Sequence, residues 1–324
     1  DFGINAYLRN QGDGSFVDIA DALGTNKPSF TMNVGIADLN QDLLPDIYIS
    51  NIVTMVKDDK YVLPSAETTA HFNLSSLATM RVVDANDLFM SERKDGQLVA
   101  HRQARELMGR GNSATGWSWD AEFFDADNDG DDDLYCVNGM NDYHVYSETP
   151  YFTAVNHTEA EIQLVPAKRA TNVFFENEDG KMKNHSEGSG LDLMSNSRSA
   201  AFLDLDNDGD LDVALNDYHA SAKCFLNYAE RLENNWLKVK LVGDPTKGNN
   251  RDAVGARLLL ETESGHTLWR EIHGGGGYLS QDPKVQHFGL GRDQAKRLLI
   301  RWPNGEEQEV KGLNSGELHL IENL

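Results

Sequence analysis

Asp125-Ala-Asp-Asn-Asp-Gly-Asp-Asp-Asp133, followed by Leu-Tyr-Cys-Val-Asn138, is the stretch on which the reading of this chain turns. It recurs as Asp204-Leu-Asp-Asn-Asp-Gly-Asp-Leu-Asp212, followed by Val-Ala-Leu-Asn216. A degenerate copy is Asp38-Leu-Asn-Gln-Asp-Leu-Leu-Pro-Asp46, followed by Ile-Tyr-Ile-Ser-Asn51. Short apolar runs precede each copy and alternating apolar residues follow, so each reads as strand, aspartate loop, strand. Carboxylates at positions 1, 3 and 5 surround one point. Position 7 offers a backbone carbonyl, position 9 returns a carboxylate, and Gly at position 6 permits the sharp turn.

Hard oxygen donors on a flexible loop suit Ca2+ better than Mg2+ or zinc. The expected ligands are Asp125, Asp127, Asp129 and Asp133 with the carbonyl of Asp131. In the other full copy they are Asp204, Asp206, Asp208 and Asp212 with the carbonyl of Asp210. In the degenerate copy they are Asp38, Asn40, Asp42 and Asp46 with the carbonyl of Leu44. There Asn replaces one Asp and Leu43 stands where Gly is expected, so the turn is either strained or relaxed. The loops are not EF-hands, because position 12 is Cys136 or Leu215 rather than a bidentate Glu, and the flanks alternate like strands.

A second hairpin, turning on Asp-Gly, precedes each loop: residues 6–16, 87–98 and 172–182. Two hairpins make four strands, the size of a propeller blade. Extra sequence at about 53–83 and 140–170 reads as long insertions, which in a compact fold are often functional. These loops and hairpins resemble the FG-GAP or VCBS repeat of integrin-α-like β-propellers, over about 6–227. The resemblance implies blades rigidified by calcium. Such propellers close with about seven blades, and three are legible here. Blades therefore lie upstream, have diverged, or are supplied by a partner chain.

From Asn234 the pattern changes. Strands are expected at 236–242, 256–261, 267–272, 286–290, 297–302 and 307–310, a small antiparallel β-domain. Asn235-Trp236, Asn250-Arg-Asp-Ala-Val-Gly-Ala-Arg257, Gly274-Gly-Gly-Gly-Tyr-Leu-Ser-Gln281, His287-Phe-Gly-Leu-Gly291 and Arg301-Trp-Pro-Asn-Gly305 resemble the ASPIC/UnbV domain. The expected organisation is blades over 1–229 and this domain over 230–324. Gly274–Gly277 lacks the helix start and the Lys or Ser/Thr of a phosphate loop, and reads as a closely packed turn. Arg251, Asp252, Arg257, Tyr278, Ser280, Gln281 and His287 either converge on a site or hold the small sheet together.

The chain has 324 residues, with 52 Asp+Glu against 29 Lys+Arg, a formal net charge of −23. The imbalance lies before residue 230, where there are 38 acidic and 16 basic residues; the remainder has 14 and 13. This charge excludes a nucleic-acid partner, which needs a basic face, and favours cations. Two cysteines, Cys136 and Cys224, are too few for a zinc site or a disulfide scaffold. They form one disulfide or are two small buried hydrophobes. No apolar run reaches membrane-spanning length. The chain begins at Asp1 without Met, and its first residues read as a strand, as after processing or truncation. Asn73, Asn156 and Asn184 lie in glycosylation sequons, meaningful only in a eukaryotic source.

No His-x-x-x-His, His-Glu-x-x-His or Gly-x-Ser-x-Gly pattern occurs, and His101, His144, His157 and His219 are scattered. The chain reads as a non-enzymatic, calcium-binding scaffold or adhesion-type protein, extracellular or periplasmic, that binds a protein or glycan. Weak calcium sites fill in such compartments. The alternatives are a subunit of a larger surface or enzyme assembly, an oligomer, or an enzyme with its site on the insertion face.

Overall fold

The computed structural model describes residues 4–27, 29–52, 83, 85–109, 112–139, 170–218 and 220–323. Both expected insertions, apart from their last residues, and His144, His157, His219, Asn73 and Asn156 lie outside these residues. The described chain is all-β in a propeller-type arrangement of blades, followed by a small β-domain.

A hairpin of β1 (Leu8–Asn10) and β2 (Phe16–Asp18) stands apart from the larger sheets. The first full blade is β3 (Thr31–Ala37), β4 (Asp46–Asn51), β5 (Asp87–Lys94) and β6 (Gln97–Gln103), antiparallel and in sequential order. The second is β7 (Ser118–Phe124) and β8 (Asp133–Asn138), joined by β10 (Val173–Glu178) and β11 (Lys181–Asn184). The short β9 (Ala170–Thr171) pairs with β12 (Met194–Ser195). The third sheet has three strands, β13 (Ser197–Leu203), β14 (Asp212–Asp217) and β15 (Lys223–Phe225).

Four strands per blade is the expected size, but the frame is shifted. The first two aspartate-loop hairpins pair with the Asp-Gly hairpin that follows, β4 with β5 and β8 with β10, rather than the one before. Among the described residues the first Asp-Gly hairpin, β1–β2, consequently pairs with no other strand, and the third loop hairpin pairs only with β15.

Every side chain of β4 and β8 is buried. Such strands are covered on both faces and read as continuous apolar runs, here Ile47-Tyr-Ile49 and Leu134-Tyr-Cys-Val137. One core layer joins the first two blades through Tyr48, Leu88, Met108, Leu134, Phe175 and Met182. A second joins the second blade to the third sheet through Phe124, Tyr135, Phe174, Phe202, Val213 and Leu215. Gly35 is needed for this stacking, because a Cβ there would lie 2.8 Å from the Ala121 carbonyl oxygen. Cys136 is buried, Cys224 is exposed, and both are free thiols.

A buried asparagine clamps each junction. The Asn86 Oδ1 accepts from the Asn51 N–H at 2.8 Å, while its Nδ2 donates to Tyr48 Oη at 2.9 Å and Ser118 Oγ at 3.1 Å. One blade on, Asn172 repeats the pattern with the Asn138 N–H at 2.8 Å, Tyr135 Oη at 2.9 Å and Ser197 Oγ at 3.1 Å. Each clamp ties a loop hairpin to its outer hairpin and to the first strand of the next sheet.

The C-terminal domain contains β16 (Asn235–Val242), β17 (Arg257–Thr262), β18 (Thr267–Glu271), β19 (Gln286–Gly291), β20 (Ala295–Arg301), β21 (Glu307–Lys311) and β22 (Leu318–Glu322). Two sheets, β19-β16-β22 and β18-β17-β20-β21, enclose a separate core of Leu237, Val239, Leu258, Phe288, Ile300 and Trp302. The expected strands form, but the domain is not wholly antiparallel. The last strand, β22, runs parallel to β16. A parallel pair needs a long crossover, and the whole of residues 243–317 supplies it.

Asn172→Ala strands buried donors and acceptors on both sides of a blade junction. We expect it to lower unfolding stability by about 3 kcal/mol, as buried groups left without partners typically do. Urea unfolding of the variant against the parent chain measures this.

Candidate metal loops and the domain docked on them

Each loop is held from inside by its first and last aspartates. In the first loop, Asp38 Oδ1 accepts from the Asp42 N–H at 2.9 Å and Oδ2 from the Leu43 N–H at 2.7 Å. In the second, Asp125 Oδ2 accepts from the Gly130 N–H at 3.1 Å; in the third, Asp204 Oδ2 does so from the Gly209 N–H at 3.1 Å. The ninth-position aspartates act differently. Asp46 accepts from the Leu39 N–H inside its loop at 3.0 Å and from the Ser91 N–H of β5 at 2.7 Å. Asp133 does the same with Ala126 at 3.0 Å and Asn177 of β10 at 2.8 Å. Asp212 does so with Leu205 at 2.6 Å and Asn227 at 2.8 Å. These three side chains therefore fasten each loop to the next stretch of chain.

Position 4 adopts positive φ in all three loops: Gln41 at 54°, Asn128 at 63° and Asn207 at 64°. Asn tolerates this region better than most residues, which explains Asn in the two full copies. At position 6, Gly130 and Gly209 have φ of 96° and 101°, and Leu43 is held at 65°. The degenerate loop thus keeps the turn at the expense of strain at Leu43.

The carboxylates gather into three groups, within each of which one oxygen per residue lies within 4.8 Å of the others. Asp125, Asp127 and Asp129 form one, at positions 1, 3 and 5. Asp204, Asp206 and Asp212 form another, at positions 1, 3 and 9. Asp208, Asp210 and Glu230 form the third. Among the described residues the first loop builds no such group, and its Asn40 Nδ2 donates to Asp42 Oδ2 at 3.3 Å. Buried oxygens Oδ1 of Asp125, Asp131, Asp204 and Asp210 have no hydrogen-bond partner.

Such crowding disfavours charge. Burial, reinforced by neighbouring carboxylates, raises Asp131 to about 8 and Asp210 to about 7. Burial also raises Asp129 to about 6, Asp38 to about 6 and Asp46 to about 7, and holds Asp125 and Asp133 well above the ordinary carboxylate range. A bound divalent cation would reverse this preference, and the residues present fit one: oxygen donors, several unpartnered, on a turn that already has its shape.

The C-terminal domain packs on these loops. Arg270 of β18 pairs with both oxygens of Asp132, at 3.0 and 2.8 Å. His287 Nε2 lies 2.6 Å from Asn128 Oδ1, and the Gly291 N–H donates to the Asn128 carbonyl at 2.7 Å. Lys238 of β16 forms an ion pair with Asp204 and lies over the Trp236 ring. A Cβ at Gly209 would overlap Trp236, and one at Gly289 would overlap Asp125 and Asn128. The expected close packing of the Gly274–Gly277 segment holds only at its end: a Cβ at Gly277 would overlap Glu122, whereas Gly274, Gly275 and Gly276 are exposed and Gly275 has open space around it.

The seven polar residues singled out in the C-terminal domain do not converge. Tyr278 and Ser280 reach Asp120 of the second blade, at 2.9 Å from the Tyr278 N–H and 3.4 Å from the Ser280 Oγ. His287 serves Asn128, and Arg257 pairs with Glu271 at 2.8 Å on the surface. Glu230, Lys238, Arg270 and Asn227 were not anticipated; they lie outside the loops and carry no spacing that points to them.

Residues 246–323 match the family model described as "ASPIC and UnbV". The chain is thus a propeller-type all-β protein carrying an ASPIC/UnbV domain. Over nearly its whole length it is similar to cartilage acidic protein 1. It is 24% identical to the Homo sapiens protein over 322 residues, 98% of this chain and 40% of that protein. It is 25% identical to the Mus musculus protein over 308 residues, 94% of this chain and 38% of that one. A Xenopus tropicalis cartilage acidic protein 1 is 37% identical over 108 residues, 33% of this chain and 16% of that protein. The chain spans about two fifths of the length of its human and mouse relatives.

Where the domains meet, three carboxyls crowd together without a metal-loop pattern. Burial raises Asp120 to about 6. Burial, with Asp120 and Asp282 beside it, pushes Glu122 up to about 10, and Asp282 is also raised by burial. A raised carboxyl pKa means that folding takes up a proton. This contribution is harmless below the unfolded value near 4.3 and increasingly destabilising as pH climbs towards the folded value. Glu122→Gln is therefore expected to raise the melting temperature at pH 8 by about 1–2 °C, the shift that about 1 kcal/mol gives in a protein of this size. The gain should shrink at pH 5. Melting curves of both proteins across this range decide it.

Proposed function

We propose that this chain is a calcium-stabilised extracytoplasmic scaffold or adhesion-type protein of FG-GAP/VCBS repeat character, non-enzymatic, whose calcium is structural. The observation that carries the reading is the second loop. There Asp125, Asp127 and Asp129 converge, and fully buried Asp125 keeps one oxygen without a donor. In this reading Asp131 and Asp133 complete the second site. Asp204, Asp206 and Asp212 hold calcium in the third loop, where Asp208 and Asp210 gather with Glu230. Asp38, Asn40, Asp42, Leu44 and Asp46 form a weaker site, since the first loop gathers no three carboxylates.

The partner is a protein or glycan engaged through the insertions at 53–83 and 140–170. Among the described residues no helix is long and apolar enough to cross a membrane. The name of the relatives, cartilage acidic protein 1, supports an extracellular setting. The three-stranded last sheet and the lone first hairpin favour closure by further blades or a partner chain, because open strand edges invite pairing. An enzyme reading would rest on the groove where Glu122, Asp282, His273 and His287 line the domain junction. His287 is buried there against Asn128, and burial lowers it to about 3, which suits a docking strut better than a base working near neutrality.

Millimolar Ca2+ is expected to raise the melting temperature and chelator to lower it. Binding at one hundred times Kd corresponds to about 2.7 kcal/mol per site. Asp125→Asn should remove the second loop's share and leave the third's. No calcium-dependent shift at all would overturn the reading. Because binding needs ionised carboxylates, and Asp129 sits near 6 with Asp125 held well above the ordinary range, apparent affinity should fall progressively as pH drops from 8 to 5. Calorimetric titration at several pH values, with proton release followed by changing the buffer, checks this.

A further inference from the structure

The third loop meets a carboxylate that the repeat pattern does not contain. Asp208 and Asp210, at positions 5 and 7, each place an oxygen within 4.8 Å of Glu230. Glu230 belongs to a single 3-10 turn, Ala229–Leu232, in the short connection between β15 and β16. That connection is the chain's passage from the blades to the C-terminal domain.

The meeting is built rather than accidental. Asp210 is fully buried, and its Oδ2 accepts from the N–H groups of Ala229 at 2.7 Å and Glu230 at 3.3 Å. One side chain of the loop thus shapes the start of the turn that carries Glu230. The other oxygen of Asp210, Oδ1, is buried with no hydrogen-bond partner. An orphaned carboxylate oxygen of this kind is costly unless something positive meets it. Of the nearby basic groups, one is held by another carboxylate and one pairs with Glu230 from the exposed side. Lys238 is on Asp204. Arg231 is 3.6 Å from Glu230, largely exposed, and stacks over the Tyr228 ring.

We propose that Asp208, Asp210 and Glu230 form a cation site of their own, distinct from the group of Asp204, Asp206 and Asp212, which takes a hard divalent ion such as Ca2+. It rests on the reading that these loops bind calcium, and adds that the interdomain connection supplies a ligand. Three oxygen donors, two from the loop and one from the turn, leave the rest of the shell to backbone carbonyls and water, as calcium accepts. Occupancy then fixes the turn and with it the entry of β16 into the C-terminal domain, whose Trp236 is seated on Gly209 of the same loop.

The test compares the full chain with Glu230→Gln and Asp125→Asn by calorimetric Ca2+ titration, and by limited proteolysis across residues 226–234 with calcium or chelator. Glu230 is exposed, so the Gln variant should melt like the parent in chelator. The expected result is a loss of at least tenfold in affinity at one site of Glu230→Gln, together with loss of calcium-dependent protection of the connection. Asp125→Asn should lose a different site and keep that protection. Unchanged titration and protection in Glu230→Gln, while the parent binds calcium, would overturn this inference alone. Absence of calcium binding in the parent would overturn it together with the calcium reading.

Discussion

A buried carboxylate that accepts hydrogen bonds from two stretches of chain at once is the element on which the blades depend. Asp46, Asp133 and Asp212 each take one N–H from within the aspartate loop and one from the segment that follows. Backbone donors strengthen when the acceptor is ionised, yet burial opposes the ionisation. The loops sit on that conflict. More carboxylates crowd the same turn, so the conflict sharpens, and a divalent cation is the group that resolves it. The ladder pairing, the asparagine clamps and the seat of the C-terminal domain all inherit their geometry from this fastening.

The sequence made the loops and most strands legible for a simple reason. Aspartate spacing and alternation are local signals, and Asp125–Asp133 and Asp204–Asp212 carry them at full strength. The four-strand size of a blade was legible too. Its frame was not, because an Asp-Gly hairpin such as 87–98 looks the same whether it pairs backwards or forwards. The pairing is decided by the contacts of Asp46 with Ser91 and Asn51 with Asn86, which span 45 and 35 residues. The parallel run of β22 beside β16 was hidden likewise, since alternation says nothing about direction.

The candidate site was half legible. Position within the loop named the carboxylates, but the side chains that surround them come from elsewhere. Arg270, Lys238 and His287 approach from a domain whose own pattern suggested an internal network. Their role follows from where the C-terminal domain lands, on the face that bears the second and third loops. The acidic second and third loops are met there by Arg270 and Lys238, which pair with Asp132 and Asp204.

The shifted frame has an evolutionary meaning. If sheets coincided with sequence repeats, a blade could be gained or lost by duplicating or deleting one motif pair. Here each full sheet is stitched across the boundary between two motif pairs, β3–β4 with β5–β6 and β7–β8 with β10–β11. Excision at the motif boundary would leave two torn sheets, whereas a cut between β6 and β7, in residues 104–117, would leave both intact. Recombination among such proteins should therefore have left its scars in that interval, out of phase with the motifs by which the repeats are recognised.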